Sequence, residues 1–139
     1  MAWTQFRGTF FELLYPRDWE LEIIENIPCF FDPEGGGAVQ VAAFRQPEGQ
    51  DFDFDGEMER YLNGHGIRMD KSRIAEFALA SGLPCRACEF VLEDRFWLVN
   101  MIVQGSRMIL VLFNSDEIPD QETVQKISGL IQTIRLEGQ

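Results

Sequence analysis

Histidine is almost missing from this 139-residue chain, which has one, and cysteine is scarce, with three. An odd, small number of thiols excludes a disulfide framework, and free thiols suit a reducing compartment. Basic residues are also few: 12 Lys and Arg stand against 23 Asp and Glu, a formal net charge of −11. Such a surface repels phosphate backbones, and only Arg68, Lys71 and Arg73 come close together in the chain. Nucleic acid and anionic membrane surfaces are therefore excluded as partners, while a protein partner or a cation is compatible. No stretch approaches the run of about 18 uninterrupted apolar residues that a membrane span needs. The opening "MAWTQFRGTFFELLYP" has no basic region followed by an apolar core, so no signal peptide is expected and the cytoplasm is the default location. Repeats, low-complexity tracts and linkers are missing as well.

Apolar residues, by contrast, are plentiful: 45% of the chain, with twelve Phe. At this length folding removes roughly 68% of the unfolded chain's surface from water, enough for one core without staples or metal. Residues 1–139 are expected to form a single domain.

The first half reads as strands. "TFFELLYP" (9–16) alternates weakly and ends at Pro16, which lacks a ladder donor. "WELEII" (19–24) alternates Trp19, Leu21 and Ile23 against Glu20 and Glu22, the pattern of a strand with one wet face. "PCFF" (28–31), the turn "DPEGGG" (32–37) and "AVQVAAF" (38–44) follow. A helix fits 55–64, with Phe54, Met58, Tyr61 and Leu62 on one face, Asp55 as its N-cap and Gly64 as its left-handed C-terminal residue. Then come four strands at 73–80, 85–92, 96–103 and 107–113, linked by hairpin-sized turns, hence an antiparallel meander. "MILVLF" is apolar on both faces and belongs in the middle of the sheet. A last helix over 119–135 puts Val124, Ile127, Ile131 and Ile134 on one stripe, with Pro119 in its first turn. The fold class is α+β: an antiparallel sheet flanked by helices.

"QDFDFDGEMERYL" (50–62) starts as a calcium loop starts, with Asp51, Asp53 and Asp55 at alternate positions before Gly56. The closing bidentate Glu of such a loop is replaced by Leu62, so the run reads as the start of a helix with Phe52 and Phe54 turned inward. "PCRAC" spaces Cys85 and Cys88 like a redox or zinc pair. On a strand, residues three apart face opposite ways, so the sulfurs diverge and one free Cys faces the core. "EGGGAVQV" runs into a strand and not into a helix, so it is a turn, not a phosphate loop. His65, in "NGHG", reads as an exposed turn residue at a helix end. No catalytic residue, metal site or cofactor follows from these patterns.

"FFELLYPRDWELE" (10–22), "FFDPEGGGAVQVAAF" (31–44) and the closing "VQKISGLIQTIRL" (124–136) together resemble the PsbP-like (Mog/PsbP) superfamily. The step Tyr15-Pro16-x-x-Trp19, the small-residue turn before "AVQVAAF" and the final "TIR" carry the resemblance, which spans nearly the whole chain. It implies a PsbP-like α/β/α sandwich and, for most members, no enzyme activity. Members include a photosystem subunit, a GTPase-binding factor and chaperones of secreted bacterial effectors. The chaperone branch agrees best with a small acidic cytosolic chain. The expected function is non-enzymatic protein binding as a chaperone or adaptor, through a sheet face that no helix covers. Trp19, Phe31, Phe96 and Trp97 are the candidate anchors, with Phe96 and Trp97 on opposite faces. The rival reading is a calcium or small-molecule binder built on Asp51, Asp53 and Asp55. An exposed edge of the meander could also pair with a second copy.

Overall fold

The computed structural model describes residues 2–138. Its strands are β1 (Trp3–Arg7), β2 (Phe11–Pro16), β3 (Glu20–Ile24), β4 (Ile27–Phe31), β5 (Ala38–Arg45), β6 (Ala75–Ala78), β7 (Pro84–Leu92), β8 (Arg95–Gln104), β9 (Arg107–Ser115) and β10 (Arg135–Leu136). Helix α1 (Phe54–Gly64) lies between β5 and β6, and α2 (Gln121–Gln132) between β9 and β10. Seven strands form one antiparallel sheet in the order β3-β4-β5-β9-β8-β7-β6, and a small second sheet has the order β1-β2-β10. The meander β6–β9 is as the short turns predict.

Strand β9 sits in the middle of the seven because its sequence can be buried on both sides. Ile109, Val111 and Phe113 face α2 and the small sheet, together with Phe30, Val41, Ile102 and Leu130. Met108 and Leu110 face the other way and meet Met58 and Leu62 of α1, with Val99 and Met101 from β8. The strand period of two thus sends alternate residues of β8 and β9 into two separate cores. Helix α1 is held by the apolar face read from its spacing. Helix α2 is held by Ile127, Leu130, Ile131 and the following Ile134, whereas Val124 is exposed and does not belong to the buried stripe.

Several boundaries differ from the sequence reading for local reasons. The N-cap of α1 is Asp53, not Asp55, and its side chain makes no capping bond. Gly64 is the last helical residue; the left-handed position after the helix is Gly66 at φ 72°. Pro119 precedes the N-cap of α2, Asp120, whose carboxylate accepts a 2.8 Å bond from the Thr123 amide and sits below the ordinary carboxylate range because of that bond. The sequence reading has no counterpart for β1 and β10, which pair with β2 through Trp3↔Pro16 and Leu136↔Phe11. A single 3-10 turn over 71–73 precedes β6, and Asp70 caps it.

The hairpin turns fix the register. Glu25 and Asn26 both have positive φ, 51° and 69°, between the paired residues Ile24 and Ile27. Glu93 and Asp94 repeat this at 53° and 63° between Leu92 and Arg95. Both are two-residue turns of the type whose twist matches paired strands.

Candidate interaction surface

The four aromatic candidates separate by face. Trp19 and Phe96, at 7% and 9% exposure, are taken up by the α2-side core and cannot serve as surface anchors. Phe31 and Trp97 stay half-buried. They share one row on the α1 side of the sheet, running Phe90, Trp97, Asn114, Ala38, Phe31, Glu20 across six strands. Phe96 and Trp97 face opposite ways, as the alternation requires.

At the β7–β8 end of that row the aromatic rings pack together. Phe90 stacks on Trp97 with centroids 6.3 Å apart, and His65 lies 6.1 Å from Trp97 and 4.6 Å from Tyr61. His65 is therefore a half-buried member of an aromatic cluster and not the exposed turn residue that its Gly neighbours suggest. The Tyr61 hydroxyl and the Trp97 indole N–H are buried without a hydrogen-bond partner among the described residues. Burial, and next the neighbouring Cys88, pushes the Tyr61 phenol up to about 12. These rings pin α1 to the sheet.

The acidic run does not converge. Asp51, Asp53 and Asp55 are all exposed, while Phe52 and Phe54 pack inward against the α1-side core. Asp55 is engaged by Arg86, which also holds Glu76 at 3.1 Å and lies over the Phe54 ring at 4.2 Å. Among the described residues no group of three or more His, Cys, Asp or Glu is placed to hold a metal ion. Cys85 and Cys88 lie in opposite cores, so the strand buries both thiols where the sequence reading placed one. Burial pushes Cys85 up to about 12, and it also raises Cys88 and Cys29. Thiols held protonated in this way are poor nucleophiles and poor metal ligands.

Sequence reasoning missed a different feature, at the corner formed by β3, β4 and the end of β5. All five residues of β3 are exposed, where one wet face was expected. Only Trp19, just before the strand, reaches the core; Ile23 and Ile24 are 54% and 46% exposed. The reason is position: β3 is the sheet's outer edge, and no residue of β3 or β4 belongs to the α1-side core. Phe44, 43% exposed, projects from β5 on the same side as Ile24. On the other side, between this end of the sheet and the small sheet, a shallow depression of about 300 Å³ is lined by Phe6, Phe11, Ile23 and Ala43 among others. Four of the eight exposed large hydrophobics among the described residues, Leu21, Ile23, Ile24 and Phe44, lie at this corner. Ile24 and Phe44 project on the α1 side and Leu21 and Ile23 on the opposite side, so the two pairs flank this end of the sheet from its two faces. The strand also carries Glu20 and Glu22, and neither has an ion-pair partner among the described residues.

Two stacked cores on a seven-stranded antiparallel sheet, closed by α1 on one side and by α2 with a small sheet on the other, define a PsbP-like α+β fold. Among solved structures, the solution structure of cyanobacterial PsbP (CyanoP) from Synechocystis sp. PCC 6803 is similar at a TM-score of 0.64 and 12% identity, over 97% of this chain and 92% of that one. A crystal structure from Bacteroides thetaiotaomicron VPI-5482 is similar at a TM-score of 0.61 and 15% identity, over 94% of this chain. This chain spans 46% of that protein. No protein-family profile matches the chain, and no curated protein matches it in sequence. No helix among the described residues is long and apolar enough to cross a membrane.

Proposed function

We propose that this chain is a non-enzymatic protein-binding domain, a small adaptor or chaperone of the cytoplasm. The observation that carries the reading is the apolar corner at β3 and β5, where Ile24 and Phe44 stay in water on the α1 side of the sheet and Ile23 stays in water on the other. Large apolar side chains gathered at one place on a surface mark sites where another macromolecule docks. Phe31, in the next strand and half-buried on the side of Ile24 and Phe44, extends the surface toward the middle of the sheet. Three free, buried thiols fit a reducing compartment. The acidic balance of −11 favours a partner with a basic surface.

The test is affinity capture from native extract with wild-type protein and with an Ile24→Asp, Phe44→Asp double variant. Both substitutions sit at exposed positions, so the fold, checked by circular dichroism, is retained. A single stoichiometric protein retained by wild type and lost by the variant is the expected result. Equal capture by both, or capture of nothing by either, would refute the reading.

A further inference from the structure

We infer that β3 is an addition edge, accepting as an eighth strand an extended partner segment that alternates basic and apolar residues. The inference rests on the protein-binding reading and specifies the chemistry of the partner.

The backbone provides the first half of the argument. Ile24 and Ile27 close a two-residue hairpin, so they exchange both ladder hydrogen bonds. Alternation along an antiparallel pair makes Glu22–Cys29 and Glu20–Phe31 bonded pairs as well. The amides and carbonyls of Leu21 and Ile23 therefore point away from β4, along the open edge of the sheet. The side chains provide the second half. Glu20 and Glu22 lie on the α1 side with Phe31 and Cys29, and Leu21 and Ile23 lie on the opposite side with Phe30 and Pro28. A strand laid along this edge meets carboxylates on one face and aliphatic side chains on the other. Lys or Arg at alternate positions, with Val, Ile or Leu between them, matches both faces.

The opposite edge of the same sheet is not equivalent. There β6 is four residues long, and its Glu76 already holds Arg86. Among the described residues Glu20 and Glu22 have no such internal cation. A second copy of this chain suits the β3 edge poorly. Full antiparallel overlap would set Glu22 directly against its own counterpart, a destabilising like-charge pair. Each copy also brings a net charge of −11.

The test titrates the full chain, isotope-labelled, with a synthetic Lys-Val-Lys-Val-Lys-Val-Lys peptide and with the corresponding Glu-Val peptide. The Lys peptide is expected to bind and to protect the Leu21 and Ile23 amides from hydrogen exchange; the Glu peptide is not. Ile23→Pro removes one outward donor, which an edge strand tolerates, and is expected to weaken the Lys peptide roughly tenfold or more. Glu20→Lys with Glu22→Lys, at exposed side chains, is expected to exchange the preference between the two peptides and does not depend on the proline variant folding. Unprotected Leu21 and Ile23 amides with the Lys peptide, or an unchanged preference in the charge variant, would overturn the inference. So would a concentration-dependent dimer that disappears in Ile23→Pro, because that would give the edge to a second copy. If the peptide result is negative while capture still depends on Ile24 and Phe44, the edge is wrong and the protein-binding reading stands. If capture also fails, both fall.

Discussion

Replacing Gly37 by Ala perturbs the turn that launches β5, and the structure sets the size of the effect. Gly37 has φ 99°, where an L side chain is strained. That conformational cost is about 1–2 kcal/mol. A Cβ there would also lie 2.5 Å from the Asn114 carbonyl oxygen and 2.8 Å from the Phe113 ring. Neither neighbour can yield easily: Phe113 is 1% exposed in the core, and Asn114 is paired with Ala38 on the adjacent strand. Forcing an extra carbon into such a site adds about 1–3 kcal/mol. The total, about 2–5 kcal/mol, is a large share of a typical domain's stability of about 5–15 kcal/mol. Gly35 is the control, because its φ of 105° is similar and nothing lies within 4 Å of its Cβ position. Gly35→Ala should lose only the conformational part. Urea denaturation of the two variants beside wild type measures both. Equal losses, or a loss below about 1 kcal/mol for Gly37→Ala, would refute the packing argument.

Other expectations follow from particular groups. Tyr61→Phe removes a buried hydroxyl without a partner, and should leave stability unchanged or raise it by up to about 1 kcal/mol in the same denaturation assay. Cys85 and Tyr61 are raised by burial from 9.0 and 10.0 to about 12 each, so both ionise more readily in the unfolded chain. Their contribution to stability is complete below pH 9 and is lost as the pH rises toward about 12, so the denaturation midpoint should fall steadily between pH 9 and 11. Cys85→Ala should have a shallower fall; an unchanged slope would contradict the assignment. Replacing Glu93-Asp94 by Asn-Gly, the pair best suited to two positive φ values, should stabilise the β7–β8 hairpin by about 1 kcal/mol, read from the same midpoint.

Much of the fold is legible in the sequence because the meander and the two helices carry strong periodicities. "MILVLF" has no polar face, and the only place for such a strand is between two cores. Strands β1 and β10 are harder to see: Trp3–Arg7 has one charged residue at its end, Arg135–Leu136 is two residues long, and both depend on β2 for pairing. The surface is less legible. Alternation in "WELEII" says that two faces differ, but not whether anything lies over the apolar one. Leu21 and Ile23 read as core and are exposed, because sheet order, a tertiary property, makes β3 an edge. Trp19 and Phe96 show the converse: the residue types that dominate interfaces are also those that fill cores. The acidic run is legible as a helix start from the missing twelfth ligand, although Asp53 and not Asp55 occupies the N-cap position.

A photo-crosslinking amino acid placed at Phe44, in parallel with one at Val91, tests the central claim most directly. Val91 is 67% exposed on the other face of the sheet and near the opposite edge, so it reports nonspecific encounters. In native extract the Phe44 probe should give one discrete protein adduct that the Val91 probe does not give. Matching adduct patterns at both sites, or no adduct at Phe44, would contradict a docking surface at the β3–β5 corner.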